Sequence, residues 1–293
     1  MTLMQAVWLG VIQGLTEFLP ISSDGHLSLG REVLGIPEPD LLFDIVLHLG
    51  TLAAVVTVYR AELATIFRGL WGSLQALQRG EGVAGALSPV GARLALLIVV
   101  ATFPTGVIGL LLEDAVSGPL ATPVVVGGFL LLNAAILASN WFTSRRPDPT
   151  PQEPTGGGVL ERATLWGITP LKALAIGVAQ GVAVLPGVSR SGCTITLSLW
   201  LGVPREHAAR YSFLLSLPAI LGALVLKMDP KLWQEADPDR LTRYGLGAVV
   251  SGVVGFAALK LLIRLLRQAR FHHFAWYCAL VGLAAIAWGL TRG

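Results

Sequence analysis

Two short polar stretches hold the residue types with which this chain can do chemistry. The first runs Gln13-Gly-Leu-Thr-Glu17-Phe-Leu-Pro20-Ile-Ser22-Ser23-Asp24-Gly25-His26. Gln13 and Glu17 are four apart, so a helix sets them on one face. Pro20 ends that helix, and the turn Ser22–Gly25 is expected to hold His26 close to Ser23. The set offers a hydroxyl nucleophile, a general acid/base and a carboxylate able to orient the histidine or hold a metal ion. Plainer uses exist for each part. Ser22, Ser23 or Asp24 can cap a helix, the turn is the favoured role for Asp24, and a lone histidine is commonly structural. Glu17 differs, because a carboxylate at membrane depth costs about 2.5–3.5 kcal/mol and is functional by default.

The second stretch is Gln180-Gly181 followed by Pro186-Gly-Val-Ser189-Arg190-Ser191-Gly192-Cys193-Thr194. Arg190 is permanently charged, and its planar fork fits phosphate oxygens in pairs. The hydroxyls of Ser189, Ser191 and Thr194 surround it in sequence. Gly187 and Gly192 let backbone N–H groups turn toward an anion, and a helix starting near Gly192 points its positive end the same way. A structural Arg190–Glu17 ion pair without a ligand is the alternative, but such a pair needs neither hydroxyls nor glycines. Together the stretches describe acid/base and nucleophile chemistry facing a phosphate cradle, hence a substrate with a phosphate head and a greasy tail.

The elements that must position these residues are membrane helices. The chain is 54% hydrophobic and only 13% charged, against about 25% charged in soluble domains. Its apolar runs reach the roughly 20 residues that cross a bilayer. Six spans are expected, at about 43–59, 94–112, 123–142, 211–227, 245–263 and 273–290. Val7–Ile21 and Ala173–Val188 are interrupted by Gly and Pro and lead into the polar serines. They are expected to be arms of two re-entrant helical hairpins, whose irregular tips need protein or water around them. The fold class is therefore an all-α integral membrane protein. Its basic residues sit at the ends of apolar runs, as membrane anchors do, so the net charge of +3 does not indicate nucleic acid. Cys193 and Cys278 lie far apart in apolar stretches and suggest neither a disulfide nor a metal cluster.

The chain also repeats itself. Gly10-Val-Ile-Gln-Gly14 matches Gly177-Val-Ala-Gln-Gly181, and Pro20 with Ser23 matches Pro186 with Ser189. One transmembrane domain is expected, with repeat 1 at about 1–142, a linker at about 143–160 and repeat 2 at about 161–293. Three spans per repeat invert the second copy and place a shared site at the midplane. The distribution of Lys and Arg puts both termini outside. His272, His273 and most tryptophans read as interfacial, and His48 lies in an apolar run where it can pack near the site, with no role assigned to it.

The strings QGLTEFLPISSDGH, PGVSRSGCT and FLLSLPAILGA at Phe213–Ala223 closely resemble the bacterial undecaprenyl-diphosphatase family of the bacitracin-resistance type, over essentially the whole chain. The resemblance implies hydrolysis of undecaprenyl diphosphate to undecaprenyl phosphate and inorganic phosphate. That reaction recycles the carrier for peptidoglycan and other wall polymers and confers bacitracin resistance. It further implies a multi-pass protein of the bacterial cell membrane, an active site opening externally and support by a divalent cation, Mg²⁺ or Ca²⁺. Carried over by position, Glu17, Ser23 and His26 are catalytic, with Glu17 also the metal ligand, and Ser189, Arg190, Ser191 and Thr194 bind phosphate. Gln13, taken here as substrate-binding, stands where some members have glutamate, which leaves one carboxylate where a metal site could have two. In the expected mechanism Arg190 and the neighbouring hydroxyls grip the diphosphate, Ser23 or a metal-bound water attacks the terminal phosphorus, and His26 handles the proton. The expected partners are a polyprenyl diphosphate and membrane lipids, with a homodimer left open. The rival reading is a polyprenyl-phosphate transporter, which needs Arg190 but has no evident use for Ser23 beside His26.

Overall fold

The computed structural model describes residues 1–36, 40–116, 122–150, 164–227 and 238–292. Among them the chain is all α apart from one isolated bridge between Leu165 and Ile168. The expected linker falls largely in 151–163, outside the described residues.

Helix α1 (Leu3–Phe18) starts in a capping box, with Thr2 and Gln5 satisfying each other's backbone N–H. It ends where Pro20 forces Leu19 into extended backbone. Ser22 then adopts a left-handed φ of 71° and caps α2 (Ser23–Val33) through its hydroxyl. Asp40 caps α3 (Leu41–Val58). After it come α4 (Arg60–Gln78), α5 (Gly82–Ala86) and α6 (Val90–Val116). The Thr122-Pro123 pair opens α7 (Pro123–Ala138), which continues into α8 (Asn140–Ser144). Thr169-Pro170 opens α9 (Pro170–Val182) in the same way, a capping hydroxyl followed by a proline whose missing N–H costs nothing there. Ser189 caps α10 (Arg190–Trp200). The chain ends with α11 (Arg205–Lys227), α12 (Pro238–Arg267), a 3₁₀ turn at Phe271–His273 and α13 (Phe274–Arg292).

Among the described residues six helical stretches are long and apolar enough to cross a membrane: Leu41–Val58, Val90–Leu112, Pro123–Ser144, Arg205–Leu226, Pro238–Arg267 and Phe271–Thr291. These are the six expected from the sequence. The burial pattern agrees with a multi-pass membrane protein, because large apolar side chains cover the outside while several polar ones are buried with the apolar core. Phe103, Leu111, Val253, Trp276 and Leu280 stand well exposed, while Gln13, Thr51, Asn133, Gln180, Thr194 and Ser251 are buried. Between the first two spans the chain also forms the amphipathic helix α4, which no continuous apolar run announces.

Helices α1, α2, α9 and α10 hold 16, 11, 13 and 11 residues. At 1.5 Å per residue they reach at most about 24 Å, short of a hydrocarbon core of about 30 Å. The first helix of each pair is seated mainly in the other half of the chain. Helix α1 lies along α12, and α9 lies along α6. The repeated glycines allow it: a Cβ on Gly14 would lie 2.7 Å from the Ser251 carbonyl oxygen, and one on Gly177 2.1 Å from that of Ala101. Small residues at these crossings let the backbones touch, as in membrane helix packing generally.

Candidate functional site

The break after α1 and the break before α10 meet in the interior. Ser22 joins them, its Oγ accepting from the Gly25 N–H at 3.4 Å and from the Gly187 N–H at 3.0 Å. Gly187 has a φ of 106°, and a Cβ there would sit 2.5 Å from the Val126 carbonyl oxygen, so both conformation and space demand glycine. Ser191 Oγ donates to the Phe18 carbonyl at 3.1 Å, a second tie between the breaks. A third is Asn133 of α7, fully buried. Its Nδ2 donates to the Pro20 carbonyl at 2.9 Å, and its Oδ1 accepts from the Ser189 N–H at 3.2 Å. One amide thus satisfies main-chain groups that both helix ends leave orphaned.

Glu17 is the centre of the arrangement. Its side chain is 6% exposed. Oε2 accepts from Ser23 Oγ at 2.7 Å and from Gln13 Nε2 at 3.1 Å. Oε1 faces Arg190 Nη1 at 3.6 Å. That nitrogen is buried and makes no hydrogen bond with the described residues, so the charge contact is loose and open to exchange. A recess of about 10 Å³, room for about one water, opens here between Glu17, Phe18, Arg190, Ser191, Ser212, Phe213 and Ser216.

The structure therefore brings together Gln13, Glu17, Ser23, Arg190 and Ser191. Ser189 caps α10 through Gly192 N–H at 3.1 Å and contacts Ser191 Oγ at 3.2 Å. Thr194 Oγ1 turns back to the Arg190 carbonyl at 2.8 Å and meets Ser212 Oγ at 2.5 Å, so it braces the helix that carries Arg190. Asp24 is exposed in the first turn of α2.

Both ring nitrogens of His26 have other partners. Its Nδ1 is 2.8 Å from the Ser22 carbonyl, which can only accept, so this nitrogen carries the proton. Its Nε2 meets the Tyr277 hydroxyl at 2.9 Å, and the two rings stack. It lines a cavity of about 500 Å³ whose walls include Leu15, Leu19, Ile21, Leu265, Arg270 and Phe274. The partner that Ser23 does have is Glu17, not His26.

His48, which the sequence allows to pack near the site without giving it a role, does reach it. Its Nε2 stands 3.7 Å from Glu17 Oε2. The available signal was an imidazole in an apolar run, which says nothing about a partner 31 residues earlier.

A divalent cation needs oxygen ligands. Among the described residues no group of three or more His, Cys, Asp or Glu converges to hold one. What is present is one buried carboxylate, Glu17. That donor set fits a hard cation only if most of its oxygens come from a bound phosphate, the usual arrangement for Mg²⁺ at phosphate-transfer sites.

Comparison with known proteins adds to this geometry. The family described as Bacitracin resistance protein BacA matches residues 6–284. A protein of Desulforapulum autotrophicum named undecaprenyl-diphosphatase is 44% identical over 292 residues, 99% of this chain and 100% of its own. One of the same name from Desulfatibacillum aliphaticivorans is 42% identical over 285 residues, 97% of each chain. A third, from Methanosphaera stadtmanae, is 37% identical over 286 residues, again 97% of each. The chain belongs to the bacitracin resistance protein BacA family.

Proposed function

We propose that this protein hydrolyses undecaprenyl diphosphate to undecaprenyl phosphate and inorganic phosphate in a bacterial cell membrane. In that role it recycles a cell-wall lipid carrier and supports resistance to bacitracin. One observation carries the chemistry: a single buried carboxylate, Glu17, receives the Ser23 hydroxyl on one oxygen and faces the Arg190 guanidinium with the other. The names of the full-length relatives supply the substrate.

In this reading the two broken helix pairs are re-entrant hairpins of an inverted repeat, entering from opposite faces, and the site opens externally. The diphosphate draws Arg190 from its loose contact with Glu17, because a phosphate offers the guanidinium a bidentate partner. Ser191 and the positive end of α10 add to the cradle. The recess must widen for this, and the half-open Arg190 side chain, 26% exposed, is where it does so. Ser23 Oγ then attacks the terminal phosphorus and passes its proton to Glu17 Oε2. The anhydride P–O bond breaks, and the lipid phosphate leaves with the electron pair. Water hydrolyses the phosphoserine, returning Ser23 and releasing inorganic phosphate. Positioning and charge neutralisation do most of the work in such transfers. Glu17 is the residue that would hold a divalent cation, which when bound neutralises charge on the phosphoryl oxygens. His26 and Tyr277 line the apolar cavity, where we place part of the isoprenoid chain.

The test is phosphate release from undecaprenyl diphosphate by the purified chain in detergent, with and without chelator, alongside Ser23→Ala. Release by the wild type that is lost in Ser23→Ala supports the serine route. Near-normal turnover by Ser23→Ala would assign the attack to water instead. No release, with transport of a polyprenyl phosphate across vesicles, would establish the carrier reading in place of the enzyme.

A further inference from the structure

Helix α4 (Arg60–Gln78) belongs to none of the six spans, and its packing shows why. It follows α3 directly, with Tyr59 as the shared end residue. Its middle then crosses the start of α6. A Cβ on Gly91 would meet the Thr65 carbonyl, one on Gly69 would meet the Ala92 nitrogen, and one on Gly72 would lie 3.2 Å from Pro89. Residues 65–72 of α4, about 12 Å of helix, thus cover only residues 89–92. Helices packed lengthwise share equal stretches, so this crossing is steep. Glu62, in the first turn, pairs with Arg210 near the start of α11 at 3.2 Å. Helix α4 therefore lies across one end of the bundle, where α3 finishes and α6 and α11 begin.

Its faces differ. At 3.6 residues per turn, Gly69 and Ala76 share the buried side. Gly69 faces α6, and a Cβ on Gly85 of α5 would lie 3.4 Å from that of Ala76. Phe67, Leu70, Trp71, Leu74 and Leu77 recur at three- and four-residue spacing on the side turned away from the protein. All five are exposed, Phe67 to 70% and Trp71 to 64%. Arg68 and Arg79 stand on the flank between the two sides. An apolar stripe with aromatic rings and a basic flank is the pattern of a helix lying in a membrane interface. A helix laid across the end of a multi-pass bundle sits at that depth.

The charges select the lipid. Glu62 is taken by Arg210 and Glu81 by Arg79. Arg60 and Arg68 are exposed and have no carboxylate partner among the described residues. The distribution of Lys and Arg that puts both termini outside puts this end at the inner leaflet, whose surface is negative. We propose that α4 is an in-plane anchor on an anionic phospholipid surface: the five-residue stripe enters the acyl boundary, and Arg60 and Arg68 hold phosphate headgroups. The inference stands apart from the hydrolytic reading, since it needs a bilayer and no substrate.

The experiment places a nitroxide on Phe67→Cys, Leu77→Cys or the exposed flank position Ala61→Cys, one at a time. The full-length protein is reconstituted into vesicles of phosphatidylglycerol and phosphatidylcholine, and the buried native Cys193 and Cys278 remain. Leu70→Cys replaces Phe67→Cys if the latter does not elute as wild type on gel filtration. Collision with oxygen and with a nickel chelate gives depth. The expected result is one depth for the Phe67 and Leu77 labels within about 3 Å, about 5–10 Å below the headgroup level, with the Ala61 label open to the chelate. Depths differing by about 15 Å, the rise of ten helical residues, would show a spanning helix and overturn the proposal. Stripe labels open to the chelate would overturn it too. So would nitroxide–nitroxide broadening that vanishes on dilution with unlabelled protein, the mark of a second copy on the stripe. The headgroup is read from Trp71, as quenching of wild type minus that of Trp71→Phe. Brominated phosphatidylglycerol should quench it about twofold or more above brominated phosphatidylcholine at equal mole fraction, and Arg60→Gln with Arg68→Gln should remove the difference. Equal quenching by the two lipids, or a preference that survives in the double variant, would overturn the assignment to anionic headgroups.

Discussion

Asn133→Leu tests the joint between the two helix breaks with little change of volume. The substitution strips three contacts: the bond to the Pro20 carbonyl at 2.9 Å, the bond from the Ser189 N–H at 3.2 Å and the contact with Cys278 Sγ at 3.3 Å. The buried Ser189 N–H is orphaned, at about 1–3 kcal/mol, while the Pro20 carbonyl keeps only the weak Cys278 Sγ donor at 3.7 Å, giving about 2–4 kcal/mol in all. Measured side-chain hydrogen bonds within membranes are weaker, about 0.6 kcal/mol each, and three of them come to about 2 kcal/mol. The two estimates meet at about 2 kcal/mol, which is the expected minimum loss. Denaturant unfolding in detergent micelles, extrapolated to zero denaturant, measures it. Phosphate release should fall as well, because Ser189 begins the helix that carries Arg190 and Pro20 precedes the turn that carries Ser23. A loss below about 1 kcal/mol, with catalysis intact, would mean that the breaks hold their register without the amide.

Three further outcomes are expected. Gly187→Ala should destabilise the chain by about 2 kcal/mol or more, since its φ is 106° and the new Cβ would lie 2.5 Å from a carbonyl oxygen; Gly202→Ala, at φ 76° with nothing within 4 Å, should cost only about 1 kcal/mol, and thermal melts compare the two. Arg190→Lys keeps the charge but loses the fork, so KM for the lipid diphosphate should rise by about tenfold or more in a phosphate-release assay. Glu17→Gln keeps a hydrogen-bond acceptor for Ser23 but no base, and turnover should fall by about 10²–10⁴-fold with the folded state retained on gel filtration.

Much of the fold was legible because the bilayer imposes length. A run such as Val124–Phe142 can be little else than a span, and all six expected spans are present. Helix α4 escaped because its apolar residues alternate with Arg60, Glu62 and Arg68, a pattern that gives no continuous run. At the site, Glu17, Ser23 and Arg190 could be named from type and neighbourhood, and the structure places them in one contact set. The partners were harder. Gln13 and Glu17 share a helix face, so their bond follows from spacing. His48 and Asn133 reach the site from α3 and α7, and only tertiary packing selects them. His26 shows the reverse: three residues from Ser23, its ring nitrogens are taken by the Ser22 carbonyl and by Tyr277, 251 residues later.

The seating of α1 along α12 and of α9 along α6 bears on how the polypeptide is made. Leu3–Phe18 is made well before Pro238–Arg267, the surface that receives most of it. Until then Leu3–Phe18 is too brief to traverse the bilayer and lacks its principal seat. Neither half can therefore mature ahead of the other. Completion of the last third of the chain is the event that closes the centre around Glu17, and a nascent protein stalled before that point has no assembled site.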